Sequence, residues 1–506
     1  MSQLPPDSSA DPDTSSHPEA QAVESAPTPA RVPLPKPGST VTLAVESVAF
    51  GGRGLARIHG AAAFVEKALP GDVVQAVVLK RKPGYIEARA LSRTQESPHR
   101  VEAPCVLFGT CGGCKWQDFD YDRQLEAKAS QVVEALHHGA RIRVGFEVLP
   151  PVPSPLRWRY RNKMEFAFGR ERSSPFTGPE SIHVGLHRPG DFRHVVPVDV
   201  CHLTPEPLEK ALRAACAELR RQATDDPARV TVHDLKIHRG LLRHLVLRHS
   251  VTTGNWLAAF ITTSDPFPGA EALARAIQEA APGCAGVVWA INDGLSDVAR
   301  PESIAGVWGE PVLRERLGNL EFRLSPFSFF QTNTKGAELL YEAVARFADL
   351  QGRERVLDAY CGTGTIGLYL APRAQSVTGI ELIEEAVEDA RHNAERNGIG
   401  NAQFYAGDMK DVLADLHHQG VDPAQPPYDL VVIDPPRGGM DKKALRRLID
   451  LVPPRLIYVS CNPSTLARDA VTLAEAGLRP RKVQAFDLFP HTYHVESVVE
   501  FVRDEG

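Results

Sequence analysis

From about residue 326 onward, short apolar runs alternate with amphipathic stretches of helical period. The apolar runs are RVLDAYC, SVTGIE, AQFYAGD, DLVVIDPP and RLIYVSC. Strands that alternate with helices form parallel sheets that are covered on both faces. This pattern predicts a doubly wound, Rossmann-like α/β domain over residues 326–506.

The first of these apolar runs leads into a glycine array. VLDAYCGTGTIG has Gly362, Gly364 and Gly367 in G-x-G-x-x-G spacing between a strand and a helix. Glycines at such a turn let a ligand approach the backbone N–H groups. Glu381 ends the next strand, 19 residues after Gly362, where a carboxylate can accept hydrogen bonds from ribose hydroxyls. These features predict a nucleoside cofactor, and both nicotinamide dinucleotide and S-adenosylmethionine fit them.

An aspartate and a cysteine follow the last two apolar runs. Asp434 begins an Asp-Pro-Pro sequence, which is common in methyltransferases and has no role in hydride transfer, so it favours S-adenosylmethionine. Cys461 ends the run LIYVSC just before a predicted helix N-cap. A buried cysteine is most often a small apolar side chain, but ligands bind at the ends of strands in an open α/β sheet. Cys461 is therefore a candidate site residue.

Residues 38–96 predict a small β-barrel. Their short alternating runs, separated by GG, HG, PGD and KPG, predict about five strands. Residues 38–100 contain nine Lys or Arg and five Asp or Glu, whereas the whole chain has a net charge of -6. A basic barrel suits oligonucleotide binding, and a solvated charged surface explains the same charges. Residues 1–37 are rich in Ser, Pro, Ala and Asp and predict a disordered leader.

Residues 97–325 mix strand and helix patterns and predict a central α+β domain that begins with a cysteine cluster. Cys105, Cys111 and Cys114 have C-x5-C-x2-C spacing, and Cys201 supplies a fourth thiol. Four thiolates hold either zinc or an iron-sulfur cluster, and chemistry alone favours zinc. In the same region LRWRYRNKMEFAFG, residues 156–169, predicts a two-faced strand. Its charged face would meet phosphates or guard a sheet edge.

Composition limits the class of protein. The chain has 506 residues, 43% of them apolar, which is enough for two or three domains. It has no run of about 18 apolar residues and no secretory signal pattern. Its eight cysteines are too few for a disulfide scaffold. We expect a cytoplasmic protein without a membrane span and without an obligate protein partner.

Together these motifs resemble the RNA 5-methyluridine methyltransferases. The resemblance rests on FSFFQTNTKGAELLY, DAYCGTGTIGLYLA, GIELIEEAVEDARHNAERNG, DPPRGG, SCNPSTLARD and HVESVVEF, while GGRGLAR and ALPGD resemble a TRAM domain, an OB-like RNA-binding module. It implies that Cys461 is the nucleophile and Glu496 the general base. It also implies a set of residues that contact S-adenosylmethionine or line its pocket: Gln331, Tyr360, Gly362, Gly364, Thr365, Glu381, Asp408 and Asp434.

The cysteine pattern extends the resemblance to one branch of this family. Related enzymes that modify 23S ribosomal RNA hold a four-iron, four-sulfur cluster on it, whereas the bacterial tRNA-modifying branch usually lacks both the cluster and the TRAM module. The resemblance therefore implies a [4Fe-4S] cluster on Cys105, Cys111, Cys114 and Cys201, and 23S rRNA as the substrate. Methylation of uracil in tRNA, N-methylation of RNA, and an RNA-binding protein with an inactive methyltransferase fold remain as alternatives.

The chemistry of uracil calls for the same two reactive residues. C5 of uracil is a poor nucleophile, but addition of a thiolate to C6 gives an enolate whose C5 attacks a sulfonium methyl group. A positioned base then removes the C5 proton, and elimination frees the thiolate. Glu496 can act as this base only if its strand lies beside that of Cys461.

Overall fold

The computed structural model describes residues 32–170, 181–227, 229–416 and 425–504. Most of the predicted leader, residues 1–31, lies outside the described residues. The described chain forms a barrel, then a central sheet with helices on it, then a doubly wound sheet.

The first unit is a closed five-stranded barrel, which confirms the barrel predicted from the alternating runs. Its strands are β1 (Thr40–Ala49), β2 (Arg53–Ile58), β3 (Ala61–Glu66), β4 (Val73–Lys82) and β5 (Tyr85–Gln95). They pair in the order β1-β2-β3-β5-β4. Every second residue of β4 points inward, so Val74, Ala76 and Val78 are buried. Closure leaves no free strand edge.

A helix and a short strand follow the barrel. α1 (Tyr121–Glu134) begins after Asp120, whose carboxylate accepts the backbone N–H groups of Asp122 and Arg123. A π-helical turn, Ala135–Gly139, continues the helix, and β6 (Glu147–Val148) comes next.

The central unit is a seven-stranded sheet with two helices packed on it. Its elements are β7 (Lys163–Arg170), β8 (Ile182–Arg188), β9 (Asp191–Pro197), α2 (Glu206–Asp225), β10 (Leu242–His249), β11 (Trp256–Thr262), α3 (Ala270–Gln278), β12 (Cys284–Ile291) and β13 (Ser303–Gly309). The strand order is β13-β12-β11-β10-β7-β8-β9. β11 is buried along its whole length because apolar side chains cover both of its faces.

A hairpin of β14 (Leu313–Leu317) and β15 (Leu320–Leu324) leads to the last domain. The elements of that domain are α4 (Thr334–Ala348), β16 (Arg355–Ala359), α5 (Thr365–Leu370), β17 (Ser376–Glu381), α6 (Glu384–Arg396), β18 (Ala402–Ala406), α7 (Met409–Leu416), β19 (Leu430–Ile433), α8 (Lys442–Asp450), β20 (Arg455–Ser460), α9 (Pro463–Glu475), β21 (Leu478–Phe486) and β22 (Glu496–Arg503).

The last sheet has the order β18-β17-β16-β19-β20-β22-β21-β6, which confirms the doubly wound α/β prediction. β16 to β20 pair in parallel, and β22 enters antiparallel beside β20. The chain moves outward from β16 to β18 and then returns to β19, so the strand order reverses between β16 and β19. Ligands bind in the crevice at such a reversal.

One segment of the predicted central region, residues 147–152, pairs with the last sheet. β6 pairs in parallel with β21, and the Leu149 and Val152 N–H groups donate to the carbonyls of Val483 and Ala485 at 2.8 and 2.9 Å. The strand patterns did not indicate this pairing, because β6 is only two residues long. The division of the chain at residues 97 and 325 stays a prediction.

The strand expected over residues 156–169 is shorter than predicted. It begins at Lys163, and Arg159 before it has a left-handed backbone with φ 58°. The Arg159 guanidinium donates to the Thr204 carbonyl at 2.6 Å and contacts the Glu209 carboxylate. Arg159 therefore lies outside the strand and contacts the protein itself, and the contact of this segment with phosphates stays a prediction.

Candidate active site

The glycine array forms the turn between β16 and α5. Tyr360, Gly362 and Gly364 have left-handed backbones, with φ of 66°, 55° and 79°. A Cβ on Gly364 would lie 3.1 Å from side-chain atoms of Ala390 and Phe404, so this position needs glycine. The turn brings the loop backbone to the carboxyl end of β16, where the strand order reverses.

Glu381, the last residue of β17, lies against this glycine loop. Its carboxylate accepts the Gly362 N–H and the Ile383 N–H, each at 3.1 Å. Two apolar side chains nearby are exposed, Leu382 at 65% and Phe329 at 63%. Phe329 lies 4.0 Å from the Cβ position of Gly362. A carboxylate beside exposed apolar side chains offers partners both for hydroxyl groups and for a flat apolar ring.

Two aspartates lie at the ends of β16 and β19. Asp358 is fully buried and accepts the Gly367 N–H at 2.7 Å. Asp434 follows β19 directly, and burial raises the pKa of both carboxyls to about 7. Asp358 was not among the site residues predicted from the sequence, although an acidic residue inside an apolar run was a usable signal.

Cys461 and Glu496 lie beside each other at the carboxyl end of β20. β20 and β22 are antiparallel with Ser460 opposite Ser497, so Cys461 faces Glu496 at the next step of the register. Glu496 is 4% exposed and Cys461 is half-buried. The structure therefore meets the condition that the strand of Glu496 lies beside that of Cys461.

A cation stands near these acidic groups. Burial raises the pKa of Cys461 to about 12, and the charges of Glu496 and Asp434 contribute to this rise. The charge of Arg437 lowers the same pKa. Burial also raises the pKa of Glu496 well above its ordinary value, and Arg437 again opposes the rise. The Asn462 amide donates to the Arg437 carbonyl at 2.9 Å and so ties this loop to Cys461. Burial and the neighbouring acids therefore disfavour the charged forms of Cys461 and Glu496, and Arg437 favours them.

The other predicted cofactor residues differ in how closely they are built into the crevice. Gln331 is buried and lies just before the start of α4. The Thr365 hydroxyl lies 3.2 Å from the Tyr341 hydroxyl at the start of α5. The Asp408 side chain is 44% exposed, and its carboxylate forms an ion pair with the Lys410 ammonium at 2.7 Å. Asp408 is therefore the member of the set whose contact with a cofactor has the least structural support.

The four cysteines predicted as ligands line one cavity. Cys105, Cys111 and Cys114 belong to residues 105–116, which we call the cysteine loop, and Cys201 follows β9. Burial, with a smaller effect from the neighbouring thiols, raises the pKa of Cys111, Cys114 and Cys201, and that of Cys114 to about 12. Within the described residues, no three Cys, His, Asp or Glu side chains are placed to hold a single metal ion. The fold thus gathers four thiols at one cavity without closing them around one ion.

No helix of the described segments combines the length and the apolar character that crossing a membrane requires.

Comparisons with known proteins identify the family. The family model for tRNA (Uracil-5-)-methyltransferase matches residues 312–504, and the TRAM domain model matches residues 36–91. An uncharacterized RNA methyltransferase of Halalkalibacterium halodurans is 37% identical over 458 residues, which cover 90% of this chain and 96% of that protein. An uncharacterized RNA methyltransferase of Caldanaerobacter subterraneus subsp. tengcongensis is 38% identical over 464 residues, covering 91% and 98%.

A solved structure has the same architecture. The Pyrococcus abyssi tRNA (uracil-54, C5)-methyltransferase, crystallised with S-adenosyl-L-homocysteine, aligns with a TM-score of 0.68 and 28% identity over 91% of this chain and 100% of that one. The chain belongs to the RNA uracil-5-methyltransferase family, with a methyltransferase domain behind a TRAM barrel. The enzyme class expected from the motifs is confirmed.

Proposed function

We propose that this protein transfers a methyl group from S-adenosylmethionine to C5 of uridine in RNA through a covalent bond between Cys461 and C6 of the base. The observation that carries this proposal is the adjacency of Cys461 and Glu496. They lie on the same sheet as the glycine loop and Glu381. A thiol beside a buried carboxyl is the pair that this reaction needs.

The two residues have separate tasks in the reaction. The Cys461 thiolate adds to C6, and the electrons of the C5–C6 double bond move toward the C4 carbonyl oxygen. C5 of the resulting enolate would then attack the methyl group, with cleavage of the methyl–sulfonium bond and release of S-adenosylhomocysteine. The carboxylate form of Glu496 then takes the C5 proton, the C5–C6 double bond forms again, and the C6–S bond breaks to return the thiolate. Because burial raises the pKa of Cys461, its thiol proton has to pass to solvent before the sulfur attacks, and Arg437 is the cation that favours the thiolate.

The residues of the crevice fit S-adenosylmethionine. This cofactor supplies an electrophilic methyl group on a sulfonium. Glu381 would accept hydrogen bonds from its ribose hydroxyls, and the exposed Phe329 and Leu382 side chains would flank its base. The remaining residues of the proposed pocket are Gln331, Tyr360, Gly362, Gly364, Thr365, Asp408 and Asp434. The S-adenosyl-L-homocysteine held by the Pyrococcus abyssi enzyme supports this assignment.

A cleft between the barrel and the cysteine loop supports RNA as the partner. It has a volume of ≈ 690 Å³ and is lined by more cations than acids. The cations are Arg53, Lys67, Arg89, Arg93, Lys115 and Arg188, and the acids are Glu66 and Asp118. Among the described residues, Lys67, Lys115 and Arg188 form no ion pair with a carboxylate, so they are available for phosphate groups.

We propose 23S rRNA as the substrate, with tRNA as the alternative. The TRAM barrel together with the four-cysteine set favours rRNA, since the bacterial tRNA-modifying branch usually lacks both. The description of the Pyrococcus abyssi enzyme and of the matching family as tRNA methyltransferases favours the alternative. Mapping 5-methyluridine in rRNA and tRNA from a deletion strain separates them. Loss of the modified nucleoside from tRNA alone would contradict the rRNA assignment.

We assign the four cysteines to a [4Fe-4S] cluster. Such a cluster bonds each thiolate to a different iron atom, so its ligands stand farther apart than the ligands of one zinc ion. Two observations support this assignment: the four thiols line one cavity, and their C-x5-C-x2-C spacing with Cys201 is the pattern that the family resemblance associates with a cluster. The methyl transfer moves no electron, so the proposed role of the cluster is structural.

Release of tritium from RNA labelled at C5 of uracil tests the reaction. We expect one tritium to leave for each methyl group transferred. Methyl transfer without tritium release would indicate N-methylation, and absence of transfer to any RNA would favour an RNA-binding protein with an inactive methyltransferase fold.

A further inference from the structure

Glu496 depends on its backbone for its position. Within the described residues no hydrogen bond fixes its carboxyl, and it is the first residue of β22. The preceding residues 487–495, which we call the base loop, connect β21 to β22 and lead directly into Glu496. Whatever holds the base loop therefore sets where the carboxyl of Glu496 lies.

One side chain of α1 joins the base loop to the cysteine loop. Gln124 is fully buried, and its Oε1 accepts the His491 N–H at 2.9 Å. Its Nε2 donates to the carbonyls of Trp116 and Phe119 at 2.9 and 2.7 Å. The His491 carbonyl in turn accepts the backbone N–H groups of Lys115 and Trp116 at 2.9 and 3.0 Å. These bonds connect the residues directly after Cys114 with the loop that ends at Glu496.

A buried ion pair one turn along α1 holds the start of the same loop. The Lys128 ammonium donates to the Asp487 carboxylate at 2.6 Å and to the Phe489 carbonyl at 3.0 Å. Both side chains are fully buried. Removing one member of such a pair leaves an uncompensated buried charge, so the contact strongly favours a single loop conformation.

These bonds hold His491, whose strained backbone lies at the centre of the base loop. His491 has a left-handed backbone with φ 65°, which a non-glycine residue adopts only when its surroundings hold it there. Its ring stacks on Trp158 at 3.7 Å between centroids, and the Tyr160 hydroxyl donates to the Pro490 carbonyl at 3.0 Å. The loop is thus held from α1, from the cysteine loop and from the segment before β7.

We infer that Gln124 is a positioning residue for the general base, and that it acts by fixing the base loop against the cysteine loop. This inference rests on the proposed role of Glu496 in removing the C5 proton. Addition of Cys461 to C6 and methyl transfer need no base at C5, whereas the later proton removal does. A misplaced Glu496 should therefore slow the second stage more than the first.

The experiment separates these two stages in Gln124→Leu. RNA containing 5-fluorouridine has no C5 proton to remove, so it reports adduct formation alone, and tritium release from C5-labelled RNA reports proton removal. We expect tritium release to fall by about tenfold or more, as misplacement of a reacting group costs, while the rate of adduct formation stays within about twofold. The covalent methylated adduct with ordinary RNA should accumulate.

Gln131→Leu is the matched control. Gln131 lies on the same helix and is also buried, but its amide donates to the Val48 carbonyl in the barrel at 3.0 Å. We expect both rates to stay near those of the parent. If Gln124→Leu does not fold, His491→Asn tests the same loop, because asparagine tolerates the left-handed backbone and removes the ring that stacks on Trp158. That variant should show the same selective loss of proton removal.

The outcomes keep the inference distinct from the proposed function. Equal losses of adduct formation and tritium release in Gln124→Leu, or the same selective loss in Gln131→Leu, would overturn the positioning role. A parent enzyme that forms no adduct with 5-fluorouridine RNA would instead overturn the covalent mechanism itself.

Discussion

At the scale of single residues, the proposed reaction begins with the sulfur of Cys461. We expect Cys461→Ala to abolish methyl transfer, to below about one per cent of the parent. Binding of S-adenosylmethionine should change by less than about twofold, because the thiol attacks the base and not the cofactor. Methyl incorporation and calorimetric titration measure the two effects. Cys284→Ala, a change at a half-buried thiol on β12, is the control and should keep full activity.

The charges around Cys461 predict how its reactivity depends on pH. Its pKa of about 12 means that only a small fraction is thiolate at pH 9. This fraction changes about tenfold for each unit of pKa. Removing the cation in Arg437→Gln should raise the pKa and slow alkylation by iodoacetamide. Removing an anion in Asp434→Asn should lower the pKa and speed alkylation.

The rate of alkylation at Cys461 is followed by mass spectrometry of its peptide at several pH values above 8. We expect each change to be roughly threefold, as for a partly screened charge. If the two variants changed the rate in the same direction, the charges of Arg437 and Asp434 would not control this thiol.

At the scale of elements, the glycine loop is a place where backbone geometry limits the sequence. Gly364 has a left-handed φ of 79°, and a Cβ added there would also lie 3.1 Å from neighbouring side chains. Gly398 has a left-handed φ of 64°, but a Cβ added there would have no neighbour within 4 Å. Gly398→Ala should therefore cost about 1 kcal/mol of unfolding free energy for the backbone alone. Gly364→Ala should cost about 1–3 kcal/mol more through overpacking.

Chemical denaturation measures this difference, and titration with S-adenosylmethionine measures its effect on the crevice. Gly364→Ala should weaken cofactor binding, and Gly398→Ala should not. Equal stability losses in both variants would mean that the contacts of Gly364 with Ala390 and Phe404 relax without cost.

Local patterns predict the elements better than they predict their partners. The apolar runs around Asp434 and Cys461 indicate strands because their side chains are buried on both faces of the sheet. The insertion of β22 between β20 and β21, which brings Glu496 to Cys461, depends on pairing between distant segments. The motif HVES suggested Glu496 through family resemblance, whereas no local pattern pointed to Arg437 or Gln124. Their importance comes from contacts across the fold.

At the scale of the whole molecule, the barrel and the cysteine loop together form the proposed RNA surface. Lys67→Glu with Lys115→Glu should weaken RNA binding, and the dependence of affinity on salt should become shallower because fewer phosphate contacts release counterions. Filter binding at several salt concentrations measures both effects. Lys335→Glu, at an exposed position on α4, is the control for a change of surface charge. An unchanged salt slope in the double variant would exclude this cleft as the RNA surface.

The basic cleft and the cavity of the four cysteines share a wall, because Cys111 and Cys114 line both of them. A cluster bound by these thiols would hold this wall in place, since ligands that close a long loop contribute folding energy. We expect protein purified without oxygen to be brown and to contain about four iron atoms per chain. Cys201→Ser should lose this iron and bind RNA about tenfold more weakly, with a smaller change in binding of S-adenosylmethionine.

Cys216→Ser, at a buried thiol of α2, is the matched control and should keep the iron. Elemental analysis that finds one zinc and no iron would contradict the cluster assignment. Full RNA affinity in iron-free Cys201→Ser would be consistent with the cluster assignment but would exclude a role of the cluster in RNA binding at the cleft. These results are separable because the cavity of the four thiols is built from the cysteine loop and the segment after β9, whereas Cys461 and the glycine loop belong to the last sheet.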